Sequence, residues 1–246
     1  MIDLHIAGWR AWAPGLDSAE DWQSWARSPW TPEEGDEQPD CSFLPAMQRR
    51  RLSRMARIAL HAAWPLCGDD EQLPLVSASR HGETTRTYAI LGDVADGQPL
   101  SPTHFGLSVH NAIAGQWSIL RGQRGESTAI AGEADTFEHA MLEAAILIEQ
   151  GAPAVIVVLA EECPPAAYAG WIDDVPFSYA VALRVGAGRN DAALAARWRL
   201  SLASTTETAA KTDWPFALDF VRALHAPAGP LVHTWKTRQW IWQPNP

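Results

Sequence analysis

The stretch SPTHFGLSVHNAIAGQWSILRGQRGESTAIAGEADTFEHAMLEAAILIEQGAPAVIVVLAEE, from Ser101 to Glu162, decides the fold of this 246-residue chain. It predicts a loop, a helix, a glycine turn, a short strand, a second helix, another glycine turn and a long apolar strand. Asp135 can cap the second helix, which carries apolar residues at helical spacing and ends at Gly151. The run AVIVVLA at 154–160 has no polar alternation, so it predicts a strand that is buried on both faces.

Outside this stretch, strands and helices alternate along much of the chain, which favours the α/β class with a layered, mixed sheet. Further strands are expected at 2–8, 73–79, 177–185 and 197–203, and residues 231–242 are expected to form a strand and a Trp-rich tail. Further helices are expected at 17–27, 45–64, 82–92, 103–120 (interrupted near Gly106 and Gly115) and 214–224.

Composition indicates an ordinary soluble protein, with 47% hydrophobic and 20% charged residues. The formal net charge of -10 argues against broad binding to nucleic acid or to anionic membranes. The most apolar window is broken by charged residues and Pro153, so no membrane span is expected, and no signal peptide is recognised at the start. Three cysteines without CxxC spacing predict neither a disulfide framework nor a zinc site, which favours a cytoplasmic location.

Conventional catalytic motifs are missing from the sequence. It contains no GxGxxG, Walker, HExxH or GxSxG pattern, and its histidines lack paired ligand spacing. No cofactor and no metal site is therefore expected. Cys163 follows Glu161 and Glu162, whose charges oppose a thiolate, so we interpret it as an incidental thiol.

Five arginines crowd into the predicted helix 45–64. Arg49, Arg50, Arg51, Arg54 and Arg57 lie within nine residues of an acidic chain. One interpretation is a solvated helix face with internal salt links. The other is a docking patch for an acidic partner.

Order and spacing in the stretch from Ser101 resemble the N-terminal half of the β-ketoacyl synthases of the thiolase superfamily. A Pro-x-x-Phe segment, an Asn and an Ala-Gly match at Pro102, Phe105, Asn111, Ala114 and Gly115. A short strand, the nucleophile position, a helix, a glycine and an apolar strand follow in the family's order. The run RRRLSRMARIALHAA also resembles the family's helix with an Arg-Arg-x-Ser/Thr-Arg pattern.

This resemblance is strongest over residues 40–186 and implies a single thiolase-like layered domain over 1–246. The chain then corresponds to the N-terminal half of a ketosynthase with a reduced, divergent C-terminal strand, helix and tail at 187–246. Aligning Ala131-Gly132 on the family's small-Gly-Cys places Glu133 where an active ketosynthase has its nucleophilic Cys. The family's two catalytic histidine motifs are also missing, since His225 and His233 stand in other surroundings.

A ketosynthase-like chain without its nucleophile resembles the chain-length factors. These pair as heterodimers with a full-length β-ketoacyl-ACP synthase. Its truncated form resembles the chain-length-factor subunits of aryl polyene and xanthomonadin-type polyketide (fatty-acid-type) clusters, which also use acyl carrier proteins. The resemblance implies a non-catalytic subunit that bounds the partner's acyl pocket, with the arginine run as a possible carrier-protein patch.

Two groups of residues follow from that resemblance as interface and pocket candidates. The strand that would pair across the dimer axis comprises Ser127, Thr128, Ala129, Ile130 and Ala131. The candidate pocket wall, from the segment next to the nucleophile position, comprises Val109, Asn111, Ile113, Gln116 and Trp117.

Two other hypotheses remain open at the level of the sequence. Glu133 could act as an acid or base in an enzyme on acyl or malonyl thioesters, for example a decarboxylase. Alternatively, the chain could be a binding module that is unrelated to condensing enzymes.

Overall fold

A computed structural model describes residues 1–187, 196–208, 212–226 and 229–245. Within these ranges, eight strands form one mixed sheet in the order β3-β2-β4-β5-β1-β6-β8-β7. The strands are β1 (Ile2–Trp12), β2 (Leu75–Ala78), β3 (Ser127–Ile130), β4 (Ala154–Glu161), β5 (Tyr179–Gly186), β6 (Ala196–Ser204), β7 (Leu231–Trp235) and β8 (Arg238–Pro244).

Helices connect and cover these strands. They are α1 (Ala19–Arg27), α2 (Ala46–Arg49), α3 (Arg54–Ala63), α4 (Thr84–Ala95), α5 (Pro102–Gly106), α6 (Ala112–Arg121), α7 (Thr136–Glu149) and α8 (Phe216–His225). All eight residues of β4 are buried, as the unbroken apolar run predicts. The predicted helix of the deciding stretch is confirmed as α7, which is followed by Gly151 at a positive φ of 110°.

Strand direction divides the sheet into two parts. β3 and β4 both run parallel to β2, whereas the pairs that join β4, β5, β1, β6, β8 and β7 are antiparallel. Parallel neighbours need long crossovers, and helices α4 to α7 lie in those connections. The carboxyl ends of β3, β2 and β4 therefore meet at one edge of the sheet.

Two hydrophobic cores lie on the two faces of the sheet. One contains residues of α7 and α8 with strand residues such as Trp198 and Trp242. The other contains residues of α3 and α6, including Met55 and Trp117. This arrangement confirms the predicted layered α/β fold.

The predicted helix 45–64 is wrong in one respect, because the chain breaks it in two. α2 ends at Arg49, and α3 begins after Ser53, whose hydroxyl accepts a hydrogen bond from the Ala56 N–H at 2.9 Å. The intervening Leu52 is 9% exposed and joins the core. A buried leucine followed by an N-capping serine favours a new helix start over a continuous helix.

Gly115 does not interrupt the helical stretch 103–120, contrary to the sequence prediction. It lies inside α6, whereas the predicted break near Gly106 is confirmed, because α5 ends at Gly106 and α6 begins at Ala112. Among the described helices, none is long and apolar enough to cross a membrane.

Candidate functional site

The carboxyl edge of the three parallel strands is the natural place for a site, because ligands bind there in open α/β sheets. Three connecting segments begin at this edge. They are 79–83 after β2, 131–135 after β3 and 162–165 after β4. The sequence-predicted position Glu133 therefore lies at the edge where the topology places binding sites.

The turn that carries Glu133 depends on Gly132. The Gly132 N–H donates to Thr136 Oγ1 at 3.1 Å, and the Thr136 hydroxyl donates to the Glu133 carbonyl at 2.7 Å. A Cβ on Gly132 would lie 3.2 Å from Thr136 Cα and 3.2 Å from His139 Nδ1, which is closer than ordinary contact. Glycine here permits the close approach of the turn to the start of α7.

The carboxylate of Glu133 is bound by the hairpin of β7 and β8. Trp235 Nε1 donates to Glu133 Oε2 at 2.6 Å, Lys236 Nζ donates to Oε1, and Arg238 Nη2 donates to Oε2 at 3.3 Å. The bonds from Lys236 and then Trp235 lower the pKa of Glu133 to about 2. An ionised carboxylate with three donors is poorly suited to proton transfer near neutral pH.

Two further acids, one at the N-cap position of α7 and one inside that helix, also bind the hairpin. Asp135, whose side chain is fully buried, accepts from Arg238 Nε at 2.6 Å, from Arg238 Nη2 at 2.9 Å and from Trp240 Nε1 at 2.9 Å. Glu138 Oε1 lies 2.5 Å from His233 Nδ1. We call this set the hairpin clasp; its members are Glu133, Asp135, Glu138, His233, Trp235, Lys236, Arg238 and Trp240.

The sequence predicts that the Asp135 side chain caps α7, but the structure shows that it does not. It occupies the N-cap position, but its carboxylate makes no capping hydrogen bond. Burial opposes its ionisation, yet the bonds from Arg238 and Trp240 hold the pKa of Asp135 below its usual value. The guanidinium and indole donors thus replace the backbone N–H groups as its partners.

Glu161 forms a second polar cluster at the same edge. Ser79 Oγ donates to its Oε2 at 3.0 Å, the Arg80 N–H donates to its Oε1, and the His81 N–H lies 3.4 Å from Oε2. Burial raises the pKa of Glu161 to about 7 in spite of these donors. The cluster holds the turn after β2 against the end of β4.

A cavity of about 300 Å³ separates the hairpin clasp from the Glu161 cluster. Its lining includes Glu133, Phe137, Glu161, Tyr179, Trp214 and His233.

Among the described residues, no group of three or more His, Cys, Asp or Glu side chains could hold a metal ion. Burial raises the pKa of Cys41 to about 11 and of Cys163 to about 12, so neither is a thiolate at neutral pH.

The candidate pairing strand, 127–131, lies at the end of the sheet. The carbonyls of Glu126 and Ile130 accept bonds from Leu75 and Ser79, both at 3.1 Å. Because parallel strands alternate their bonding direction, the backbone groups of Ser127 and Ala129 point away from β2. β3 therefore presents one free edge, and Ala131 follows it as an exposed residue.

The candidate pocket wall is divided between surface and interior. Val109 and Asn111 are exposed, and Gln116 is half-buried. Ile113 is 5% exposed and Trp117 is fully buried, with its Nε1 donating to Gln123 Oε1 at 2.7 Å. Ile113 and Trp117 pack in the core with α3, so their side chains fill the interior of the isolated chain.

The five arginines of the run do not all lie exposed on one face. Arg54 Nη1 donates to Glu34 and to Ser178 Oγ, and Arg57 donates to the carbonyls of Pro39 and Arg49. Arg49, Arg54 and Arg57 therefore hold the acidic loop before α2, as internal links. Only Arg50 and Arg51 of the five are exposed.

Two features of the structure are not predicted from the sequence. The first is the hairpin clasp, whose signal is the basic, Trp-rich HTWKTRQW opposite an acidic helix start. The second is an apolar arm formed by α4 and α5, neither of which contains a buried residue. Its exposed side chains include Tyr88, Leu91, Val94 and Phe105, and Leu100 lies exposed between the two helices.

The comparisons with known proteins agree on one family. The model of the β-ketoacyl synthase N-terminal domain matches residues 22–243. A chain in the solved structure titled "Ketosynthase (ApeO) in Complex with its Chain Length Factor (ApeC) from Xenorhabdus doucetiae" is 30% identical, with a TM-score of 0.85. The alignment covers 99% of this chain and 100% of that one.

More distant structures share the fold. The ishigamide ketosynthase/chain length factor is 17% identical with a TM-score of 0.67, and 83% of this chain covers 68% of it. A β-ketoacyl synthase from Burkholderia phymatum is 15% identical with a TM-score of 0.64, and 83% of this chain covers 65% of it. A comparison with curated protein sequences found no match.

Proposed function

The chain belongs to the β-ketoacyl synthase family, and on that premise we propose that it is a chain-length-factor subunit. In this role it pairs with an active β-ketoacyl-ACP synthase and does no chemistry of its own. The observation that carries the proposal is Glu133. At the position that corresponds to the family's nucleophile, the chain has a carboxylate that is bound by its own hairpin.

The similarity to the Xenorhabdus complex supports the same role. That complex contains a ketosynthase and its chain length factor, and the matched chain aligns end to end with this one. By contrast, the β-ketoacyl synthase from Burkholderia is covered over only 65% of its length. The full-length alignment favours the correspondence of this chain to a subunit that is shorter than a β-ketoacyl synthase.

The chemistry of the site favours the accessory role over the enzymatic one. Acyl transfer in ketosynthases needs a thiolate at the start of this helix, and a carboxylate cannot exchange thioesters. The alternative, with Glu133 as acid or base on a malonyl thioester, needs a pKa near the working pH. The bonds from Lys236 and Trp235 instead lower its pKa to about 2.

The partner would bind where the chain is incomplete. β3 offers a free strand edge, which can extend a sheet across an interface. The arm of α4 and α5 exposes Tyr88, Leu91 and Val94. Burial of these apolar side chains against a partner would be favourable. Both features flank the segment before α6 that the family resemblance places near the partner's pocket.

The wall of the partner's acyl pocket would then include Val109, Asn111 and Gln116, since Ile113 and Trp117 are interior. We place the chain in aryl polyene or related polyketide synthesis. With only Arg50 and Arg51 exposed, we expect the acyl carrier protein to dock mainly on the catalytic partner.

Co-expression with a full-length β-ketoacyl-ACP synthase from the same source tests the proposal. We expect one copy of each chain in a stable complex, measured by size-exclusion chromatography with light scattering. The isolated chain should release no product from malonyl- or acyl-carrier thioesters. Separate species on the column, or turnover by the isolated chain, would contradict the proposal.

A further inference from the structure

Trp171 is the most exposed tryptophan among the described residues, with 80% of its surface accessible. It lies in the segment PPAAYAGWI at 164–172, which follows β4. We call this segment the tryptophan turn. It contains no charged residue. A large apolar ring is therefore held in solvent by a short stretch of chain that has no charge of its own.

Backbone hydrogen bonds fix the tryptophan turn. The Tyr168 N–H donates to the Pro165 carbonyl at 2.8 Å. The N–H groups of Trp171 and Ile172 both donate to the Tyr168 carbonyl, at 2.9 and 3.0 Å. Just beyond the turn, Val175 is buried and attaches the chain to the interior. Because the backbone is already ordered, a contact at Trp171 would cost little further conformational entropy.

A row of ring contacts joins the tryptophan turn to the apolar arm. The ring centroid of Trp171 lies 6.4 Å from that of Tyr168, and the ring centroid of Tyr168 lies 5.4 Å from that of Tyr88 in α4. Tyr88 and Leu91, which lies one helical turn further along α4, are about half exposed. Trp171 and the apolar arm therefore form one continuous apolar surface, which we call the arm–tryptophan surface.

The size of the arm–tryptophan surface approaches that of a specific interface. Large aromatic side chains cover about 150–250 Å² each, so Trp171 alone offers on the order of 200 Å². The arm adds exposed apolar side chains at Tyr88, Leu91, Val94 and Phe105. Together they offer on the order of 600 Å², against roughly 800 Å² that each partner buries in an interface of standard size. This area favours a protein as the occupant.

The charges next to Trp171 indicate which protein fits. The tryptophan turn supplies no cation, and Asp173 and Asp174 follow it directly. An acidic carrier protein would meet like charge here, which is unfavourable. A ketosynthase chain that covers the arm would instead meet an apolar ring beside it. The surface therefore favours the ketosynthase over the carrier protein.

We propose that Trp171 anchors the ketosynthase partner, so that the interface extends from the apolar arm to the tryptophan turn after β4. This inference rests on the proposed function, which places the partner on the arm. In the complex the ring of Trp171 is buried against the partner. Because tryptophan is enriched among the few residues that carry most of the energy of an interface, its contact contributes strongly to affinity.

The test compares two substitutions that each remove one exposed tryptophan. Trp171→Ala removes the anchor, and Trp30→Ala removes a half-exposed ring in the loop between α1 and α2. We expect Trp171→Ala to bind the full-length ketosynthase at least about 30-fold more weakly, as the loss of a dominant interface residue would. Trp30→Ala should bind within about twofold of the unmodified chain. Isothermal titration calorimetry measures both affinities.

The isolated variants separate docking from a structural role. Because Trp171 is mostly exposed, the Tm of isolated Trp171→Ala should stay close to that of the unmodified chain. A Tm several degrees lower would assign the ring to internal packing and overturn the inference.

The remaining outcomes distinguish this inference from the proposed function. Unchanged ketosynthase binding by Trp171→Ala would overturn the inference alone, and the proposed function would stand. Sedimentation of the isolated chain tests a second copy as the occupant. A self-associated chain that becomes monomeric in Trp171→Ala, with ketosynthase binding unchanged, would assign the surface to that copy instead. If the unmodified chain forms no complex with the ketosynthase, both fall.

Discussion

Glu133 and Asp135 lie in the same turn, but they contribute differently to its stability. Glu133 is 43% exposed on its side chain, whereas the side chain of Asp135 is fully buried between Arg238 and Trp240. A carboxylate near a helix N-terminus is favourable in itself. Burial makes the partners of Asp135 harder to replace by water, so the energetic centre of the hairpin clasp is Asp135.

Substitution of these two acids should therefore differ in cost. We expect Asp135→Asn to lower the free energy of unfolding by about 2 kcal/mol, since a neutral amide satisfies Arg238 and Trp240 incompletely. Glu133→Gln should lower it less, because water can replace the lost contacts. Urea unfolding followed by circular dichroism measures both. A larger loss of unfolding free energy for Glu133→Gln than for Asp135→Asn would contradict the conclusion that Asp135 is the energetic centre of the hairpin clasp.

Glu162 predicts a pH dependence of stability in the isolated chain. Its pKa of about 7 in the folded state exceeds the ordinary carboxyl value of about 4.3 in the unfolded state. The folded chain therefore holds an extra proton between these values, and its stability falls as pH rises from about 4.5 to 7. The charged groups that face Glu162 are Arg54, Glu34 and Glu83.

We expect the Tm of the unmodified chain to fall between pH 5.5 and 7.5, and to fall less steeply in Glu162→Gln. Scanning calorimetry across this range measures the slope, with Glu149→Gln as an exposed control that should follow the unmodified chain. An equal slope in Glu162→Gln would show that Glu162 titrates normally.

Among the elements, those with local signals were predictable and those with distant partners were not. α7 and β4 follow from apolar spacing and an apolar run. The hairpin clasp joins Glu133 to Trp235, 102 residues away, and no local pattern fixes such a pairing. The break between α2 and α3 was missed because helical spacing outweighed the cap signal of Ser53.

A substitution in β3 tests directly whether this strand forms part of the interface. Ala129 directs its N–H away from β2, so Ala129→Pro removes a donor from the free edge and leaves the pairing with β2 intact. We expect this variant to fold with a Tm close to that of the unmodified chain and to bind the ketosynthase at least about tenfold more weakly. Isothermal titration calorimetry measures the affinity.

Ala129→Ser keeps the donor and serves as the matched control for the proline. It should bind as the unmodified chain does. Full affinity in Ala129→Pro with an intact fold would exclude β3 as a pairing edge.

In the whole molecule, the C-terminal part joins the layers of the fold. β6, β8 and β7 extend the sheet from β1, and α8 packs in the same core as α7. The sequence predicted strands and a helix here but not this connection, because β1 pairs with β6 across nearly the whole chain. The layered family fold was predictable because it depends on the order of elements rather than on one motif.

The apolar arm lies in the connection between β2 and β3, and β3 lies at the end of the described sheet. The hairpin clasp holds the segment that follows β3. On the proposed function, the chain occupies the turn of Glu133 with its own hairpin and leaves exposed the surfaces that a partner can cover. This division of roles is what an accessory subunit requires.

Elongation by the reconstituted pair tests the central claim most directly. Mass spectrometry of the carrier-bound products compares the complex of unmodified chain and ketosynthase with the complex that contains Glu133→Gln. We predict the same products at a rate within about twofold, since Glu133 acts as a structural ligand of the hairpin. A fall of about 100-fold or more in an intact complex, which is the size of a lost acid–base group, would contradict a non-catalytic role.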